Sequence, residues 1–154
     1  MHPEIVRLLQ EAEDRYLQTS EVEIFQRYAA SLNRRLEIYE KLREKEEKIF
    51  QPVADAIEAA FPNEKPEVVS RSLKHWILIL RYCATAMLAN DPEFLKLRLQ
   101  EWVKGLVAAQ ANEEIELKIY ELLETELKSH LSEKQLPLLL PFLAKSKELI
   151  FTDE

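Results

Sequence analysis

Apolar residues recur along this chain with the spacing of helices. Val22, Phe25, Ala29, Leu32, Leu36 and Tyr39 follow one another at alternating intervals of three and four, which draws a single apolar stripe along a long helix. Ser20 with Glu23 reads as its capping box, and the helix runs to about Lys48. Pro52 is expected to interrupt the pattern and restart it as a shorter helix that ends near Phe61-Pro62. Residues 3–16 form a separate amphipathic helix ahead of it. The segment 76–89 (WILILRYCATAMLA) is apolar almost all round, with Arg81 in its middle. Its fourteen residues are too few to span a bilayer, so it reads as a buried central helix of about 67–89. Lys65-Pro66 starts that helix and Asn90-Asp91-Pro92 ends it. Asp91-Pro92 then opens a helix to about Ala109, Asn112 caps another, and Ser132 with Gln135 caps a last one that Pro137 and Pro141 should kink or break.

No segment alternates with period two, and there is no internal repeat. The expectation is an all-α chain of about seven unequal helices forming one domain over 1–154. With one helix apolar all round, steep packing angles suit it better than a regular four-helix bundle.

Composition narrows the chemistry. The only glycine is Gly105, and a phosphate-cradling loop or a dinucleotide fingerprint needs at least two at fixed spacing, so both are excluded. A net charge of −7 disfavours nucleic acid and anionic lipid as partners. The densest charge run, Arg43 to Lys48, alternates in sign as a solvated helix face does. One cysteine, Cys83, rules out an internal disulfide and fits a reducing compartment, and the start of the chain does not read as a signal peptide. A cytoplasmic protein without a membrane span is expected.

The candidate reactive residues are few. No Glu-x-x-His pair occurs, so a di-iron bundle is not indicated. His2 and His130 read as surface residues, whereas His75 on the central helix is either a core residue or faces a pocket. Cys83 reads as a small core residue. Trp76 and Trp102 are either core or platforms for a flat ligand. The helix after the central one (PEFLKLRLQEWVKGL) has no histidine, so conventional haem ligation is not expected. No acid–base pair, metal site or activated nucleophile can be named, and the chain is not expected to be an enzyme.

Several stretches, in order, resemble one family. Ala12-Glu13-Asp14-Arg15-Tyr16-Leu17 with Glu21 is similar to the pattern A-x-x-R-Y-L-S-x-x-E/Q-L with which phycobiliproteins begin. Arg34-Arg35-Leu36-Glu37-Ile38, Phe61-Pro62 followed by Pro66-Glu67-Val68-Val69, and Leu80-Arg81 followed by Ala89-Asn90-Asp91 continue the likeness. The resemblance implies a globin-like, phycobilisome-type helical bundle with an extra N-terminal helical pair. Where antenna subunits carry Cys-x-Arg-Asp for pigment chemistry, this chain reads Ser72-Leu73-Lys74-His75. The thioether-forming cysteine is gone, Lys74 keeps a positive charge for a bilin propionate, and His75 replaces the aspartate that balances the pyrrole nitrogens. The loop before the central helix is shortened to about Asn63-Glu64-Lys65.

In these respects the chain resembles the bilin biosynthesis-associated globins of cyanobacteria. That likeness implies a role near the making or handling of linear tetrapyrroles, with a bilin held non-covalently by Arg71, Lys74 and His75 beside Ser72. The alternative is a pigment-free module acting on bilin-biosynthesis enzymes or phycobilisome components. The resemblance also implies a homodimer in which Glu11 of one copy meets Arg81 of the other, with Tyr16 at the interface, since an unpaired Arg81 in an apolar helix would otherwise be stranded.

Overall fold

The computed structural model describes residues 2–103, 105 and 112–151. Among the described residues six α-helices follow one another: α1 (Pro3–Glu11), α2 (Thr19–Ala60), α3 (Pro66–Ala89), α4 (Pro92–Arg98), α5 (Glu113–His130) and α6 (Leu136–Phe151). A π-helical turn, Leu99–Val103, continues α4. No strand occurs among the described residues. The expected helix end at Ala109 and the Trp102 side chain lie outside them.

The main departure from the sequence reading is at Pro52, which does not break the chain: α2 is one helix of 42 residues. A proline inside a helix costs about 3 kcal/mol through its missing N–H and its clash with the preceding turn. Against that, Ile49, Phe50, Val53 and Ile57 are all buried in phase with Ile38 and Leu42, and each such side chain contributes about 1.5–3 kcal/mol. Burial wins, and the seventh expected helix merges into α2. Pro141 is carried inside α6 in the same way, beside the buried Leu139 and Leu143.

At the N-terminus α1 ends at Glu11, short of residue 16. Arg15 explains the early stop. Its guanidinium donates to Glu11 at 2.9 Å, to both carboxylate oxygens of Glu21 at 2.8 and 3.0 Å, and to the Tyr16 carbonyl at 3.2 Å. This clamp turns the chain into α2. Glu21 also accepts the Gln18 backbone N–H at 2.9 Å, so Gln18 and Glu21 form the cap expected of Ser20 and Glu23. The Arg15 hydrogen bonds hold the Glu21 pKa down at about 2. Asn112 does cap α5, accepting the Ile115 N–H, and Ser132 and Gln135 exchange reciprocal side-chain-to-backbone bonds ahead of α6.

Helix α3 runs through the middle, packed against α2, α4, α5 and α6. Its inner face carries Ser72, Trp76, Ile79, Leu80, Cys83, Ala86 and Met87, all buried. Its end is closed twice. Asn90 adopts the left-handed conformation (φ 50°), and the Asn90 and Asp91 N–H groups return to Met87 and Ala86. The buried Arg35 of α2 then donates to the carbonyls of Leu88 at 2.8 Å and Met87 at 3.3 Å, a cation placed at the negative end of the helix dipole.

Because hydrogen bonds to a buried charge are worth about 1.5–3 kcal/mol, Arg35→Ala should destabilise the protein by about 2–4 kcal/mol in urea denaturation. Arg34→Ala, one residue away and exposed, should change stability by less than about 0.5 kcal/mol. Equal effects would show that the α3 end is not held by Arg35.

Candidate functional site

The first turns of α3 set out the residues singled out from sequence, and helix geometry separates them. At 100° per residue, Ser72 and Trp76 fall on the inner face, His75 on its edge, and Arg71 and Lys74 outside. Accordingly Ser72 and Trp76 are buried, His75 is half-buried, and Arg71 and Lys74 are exposed.

Opposite that inner face stands a residue that sequence reasoning missed. Glu116 of α5 has no solvent exposure at all. The Trp76 indole N–H donates to Glu116 Oε2, and the nearby Ser72 hydroxyl, like Trp76, favours the ionised form of that carboxyl. His75 Nδ1 lies 3.8 Å from Glu116 Oε1, too far for a hydrogen bond, and both atoms are buried without any other partner. Burial pushes the Glu116 carboxyl up from its ordinary pKa, against the lowering effect of Ser72 and Trp76. Burial, and then the nearby Arg71 charge, push His75 down. The signal for Glu116 was present in its phase: Ile119, Tyr120 and Leu123 follow it at three, four and seven residues, so it occupies a position on the apolar stripe of α5. The neighbouring Glu113 and Glu114 disguised it as part of a solvated helix start.

Lys74 looks elsewhere. It lines a surface groove of about 480 Å3 between the end of α2 and the start of α3, together with Glu58, Phe61, Glu64, Leu73 and Ile77. Neither Ser72 nor His75 lines it. The four residues expected to act as one site are thus split, with Ser72 and His75 converging on Glu116 and Lys74 on the other side of the helix.

The remaining candidates resolve one by one. Trp76 is a core residue, tilted against Tyr120 at 5.8 Å between ring centroids and stacked on Phe151 at 6.1 Å. Cys83 is buried 3.0 Å from Ser146 Oγ, and desolvation pushes its thiol up to about 12, so it is no nucleophile near neutral pH. His2 caps α1 by accepting the Glu4 N–H, and His130 lies 3.6 Å from Glu126.

The premise that Arg81 is stranded is corrected. Arg81 lies seven residues after Lys74, on the same outward side of α3, and binds both carboxylate oxygens of Glu46 of its own chain at 2.8 and 3.0 Å. Those bonds raise its pKa further. Glu11 is likewise engaged within the chain, by Arg7 at 2.7 Å and Arg15 at 2.9 Å. Tyr16 is 99% exposed. On α1, Ile5 and Leu8 are buried while Val6 and Leu9 are exposed.

Among the described residues, no three His, Cys, Asp or Glu side chains gather where they could hold a metal ion, and no helix is long and apolar enough to cross a membrane. A family model described as "Phycobilisome protein" matches residues 8–111. The match takes in α2, α3 and Ser72 and stops short of Glu116. No curated protein matches the chain significantly.

Proposed function

This chain belongs to the phycobilisome protein family, and within it we propose a non-enzymatic, globin-like member that serves the making or handling of linear tetrapyrroles and carries no covalently attached pigment. The observation that carries this reading is the burial of Ser72. Its hydroxyl stands where antenna subunits place their thioether cysteine and is only 2% exposed, in an interior it shares with Trp76 and Glu116. A serine hydroxyl is a poor nucleophile without a base, and the chain's one thiol, Cys83, is buried with its pKa near 12. The interior beside Ser72 is occupied by Trp76 and Glu116, so a tetrapyrrole does not fit there.

The groove carrying Lys74 suits such a ligand better. It offers an apolar floor of Phe61, Leu73 and Ile77 with one ammonium for a propionate, and Arg71 is a second exposed cation near by. Glu58 and Glu64 on the same groove oppose an anionic ligand and limit its affinity. A second reading, a pigment-free module acting on bilin enzymes or phycobilisome components, is favoured by the filled interior. The exposed Val6, Leu9 and Tyr16 support self-association through the N-terminal segment. With Arg81 already paired to Glu46, that association would run on apolar contact instead of a Glu11–Arg81 bridge.

Co-expression with a bilin pathway, followed by denaturation and zinc fluorescence on a gel, should give no band at the mass of the chain; a band there overturns the non-covalent reading. In solution, biliverdin should shift its absorption reversibly on mixing with the parent. Lys74→Glu should weaken that binding at least about tenfold, the equivalent of losing one charged hydrogen bond. Unchanged affinity in Lys74→Glu would move the site off this groove, and no spectral change with the parent would leave the pigment-free module.

Sedimentation equilibrium at micromolar concentration should give the mass of two chains. Arg81→Glu should leave that mass unchanged, and Leu9→Glu with Tyr16→Glu should halve it. A parent of single-chain mass contradicts self-association.

A further inference from the structure

Glu116, buried, and His75, half-buried with its Nδ1 turned inward, are two titratable side chains to which the proposed function gives no task. We propose that they form a proton-operated latch across the seam between α3 and α5, closed while the pair holds one proton and loosened when it holds none.

The geometry carries this. Glu116 Oε1 and His75 Nδ1 face each other at 3.8 Å, and neither has another hydrogen-bond partner. With one proton on the pair, either the acid and the imidazole are both neutral or a carboxylate faces an imidazolium. Both arrangements have zero net charge, and a small side-chain movement turns the second into a charge-assisted hydrogen bond. With no proton the pair becomes a carboxylate with no charge opposite it. Its donors are then the Trp76 indole and, after the same small movement, the N–H of a neutral His75 protonated at Nδ1, and neither brings a positive charge. Among the described residues, the surrounding elements bring no compensating cation. On α3 the nearest is Arg71, exposed and one turn before His75. On α5, Tyr120 one turn further on is uncharged near neutrality. On α6, Lys147 sits over the Tyr120 ring at 5.0 Å. Arg35, the buried cation of α2, is committed to the far end of α3. Breaking one partner out of a buried charged pair is strongly destabilising, and this pair does so to itself when the last proton leaves.

The sign of the pH dependence follows. In the unfolded chain Glu116 ionises at its ordinary value of about 4.3, whereas burial raises it in the folded state, so its stabilising contribution is present at low pH and is lost as pH rises through the folded value. His75 acts oppositely. Its folded pKa is lowered, so stability falls as pH drops below the ordinary histidine range of about 6.5. Stability from this pair therefore peaks between the two limits, and Glu116 governs the alkaline side.

The chain has two tryptophans, and Trp102→Phe leaves Trp76, the residue bonded to Glu116, as the sole emitter. In that background, emission and far-UV circular dichroism should be recorded from about pH 4 to about pH 10, a range that starts near the ordinary carboxylate value and extends well above the ordinary histidine value. The expected result is one titration step in Trp76 emission with helicity retained, and a urea midpoint that falls across the same step. Glu116→Gln should abolish the step and leave the protein more stable than the parent at the alkaline end. His75→Leu, which keeps Glu116 but removes the second site for the shared proton and the partner of the protonated carboxyl, should retain the step and move it to lower pH. A flat parent curve, or a Glu116→Gln curve that traces the parent's, overturns the latch. A His75→Leu step at the parent's pH would show that Glu116 titrates alone and would equally overturn the pair.

Discussion

Helix α3 is covered by α2, α4, α5 and α6 at once, so every polar group on its inner face has to find its partner inside the protein. An unpaired buried polar group costs about 1–3 kcal/mol, and more when charged, which is a large part of the stability of a domain this size. The chain meets much of that constraint at the two ends of the helix, while His75 Nδ1 and Glu116 Oε1 stay without a hydrogen bond. At the C-terminal end, Arg35 and the Asn90 turn take up the last carbonyls. At the N-terminal end, Ser72 and Trp76 are met by Glu116.

The second of these contacts fills the interior beside position 72. Once Trp76 and Glu116 occupy the space beside position 72, restoring a thiol alone would not restore a pigment site, because the thiol would open onto packed side chains. Lys74 and Arg71, which keep their positive charge, point away from that interior and remain available on the surface.

Much of the fold was legible in the sequence. The Asn112 cap and the Ser132–Gln135 exchange depend on neighbours within a few residues, and both were found where local chemistry placed them, whereas the stripe read along the first half of α2 is not its core face: Val22, Ala29 and Leu36 are exposed, and Arg35, Ile38 and Leu42 are buried instead. Pro52 misled because its local penalty is visible in the sequence, whereas the burial of Ile49, Phe50, Val53 and Ile57 that outweighs it depends on helices far along the chain. Arg81 misled for a related reason: the run 76–89 is apolar enough to hide that one side of α3 is open, and Glu46 lies 35 residues away. The candidate site was half legible. The resemblance to phycobiliproteins directed attention to Ser72 and His75, but Glu116 lies 40 residues beyond Trp76 and outside the stretch that the family model matches. A glutamate in phase with an apolar stripe was the available sign.

The claim on which the account rests is that the interior at position 72 is closed. It is tested most directly by Ser72→Cys in a Cys83→Ala background, with the introduced thiol titrated by an aqueous disulfide reagent. A closed interior predicts a thiol that stays unreactive in the native protein and reacts fully only after unfolding in urea. A thiol that reacts in the native state as fast as a free cysteine would show an open pocket beside α3 and contradict the account.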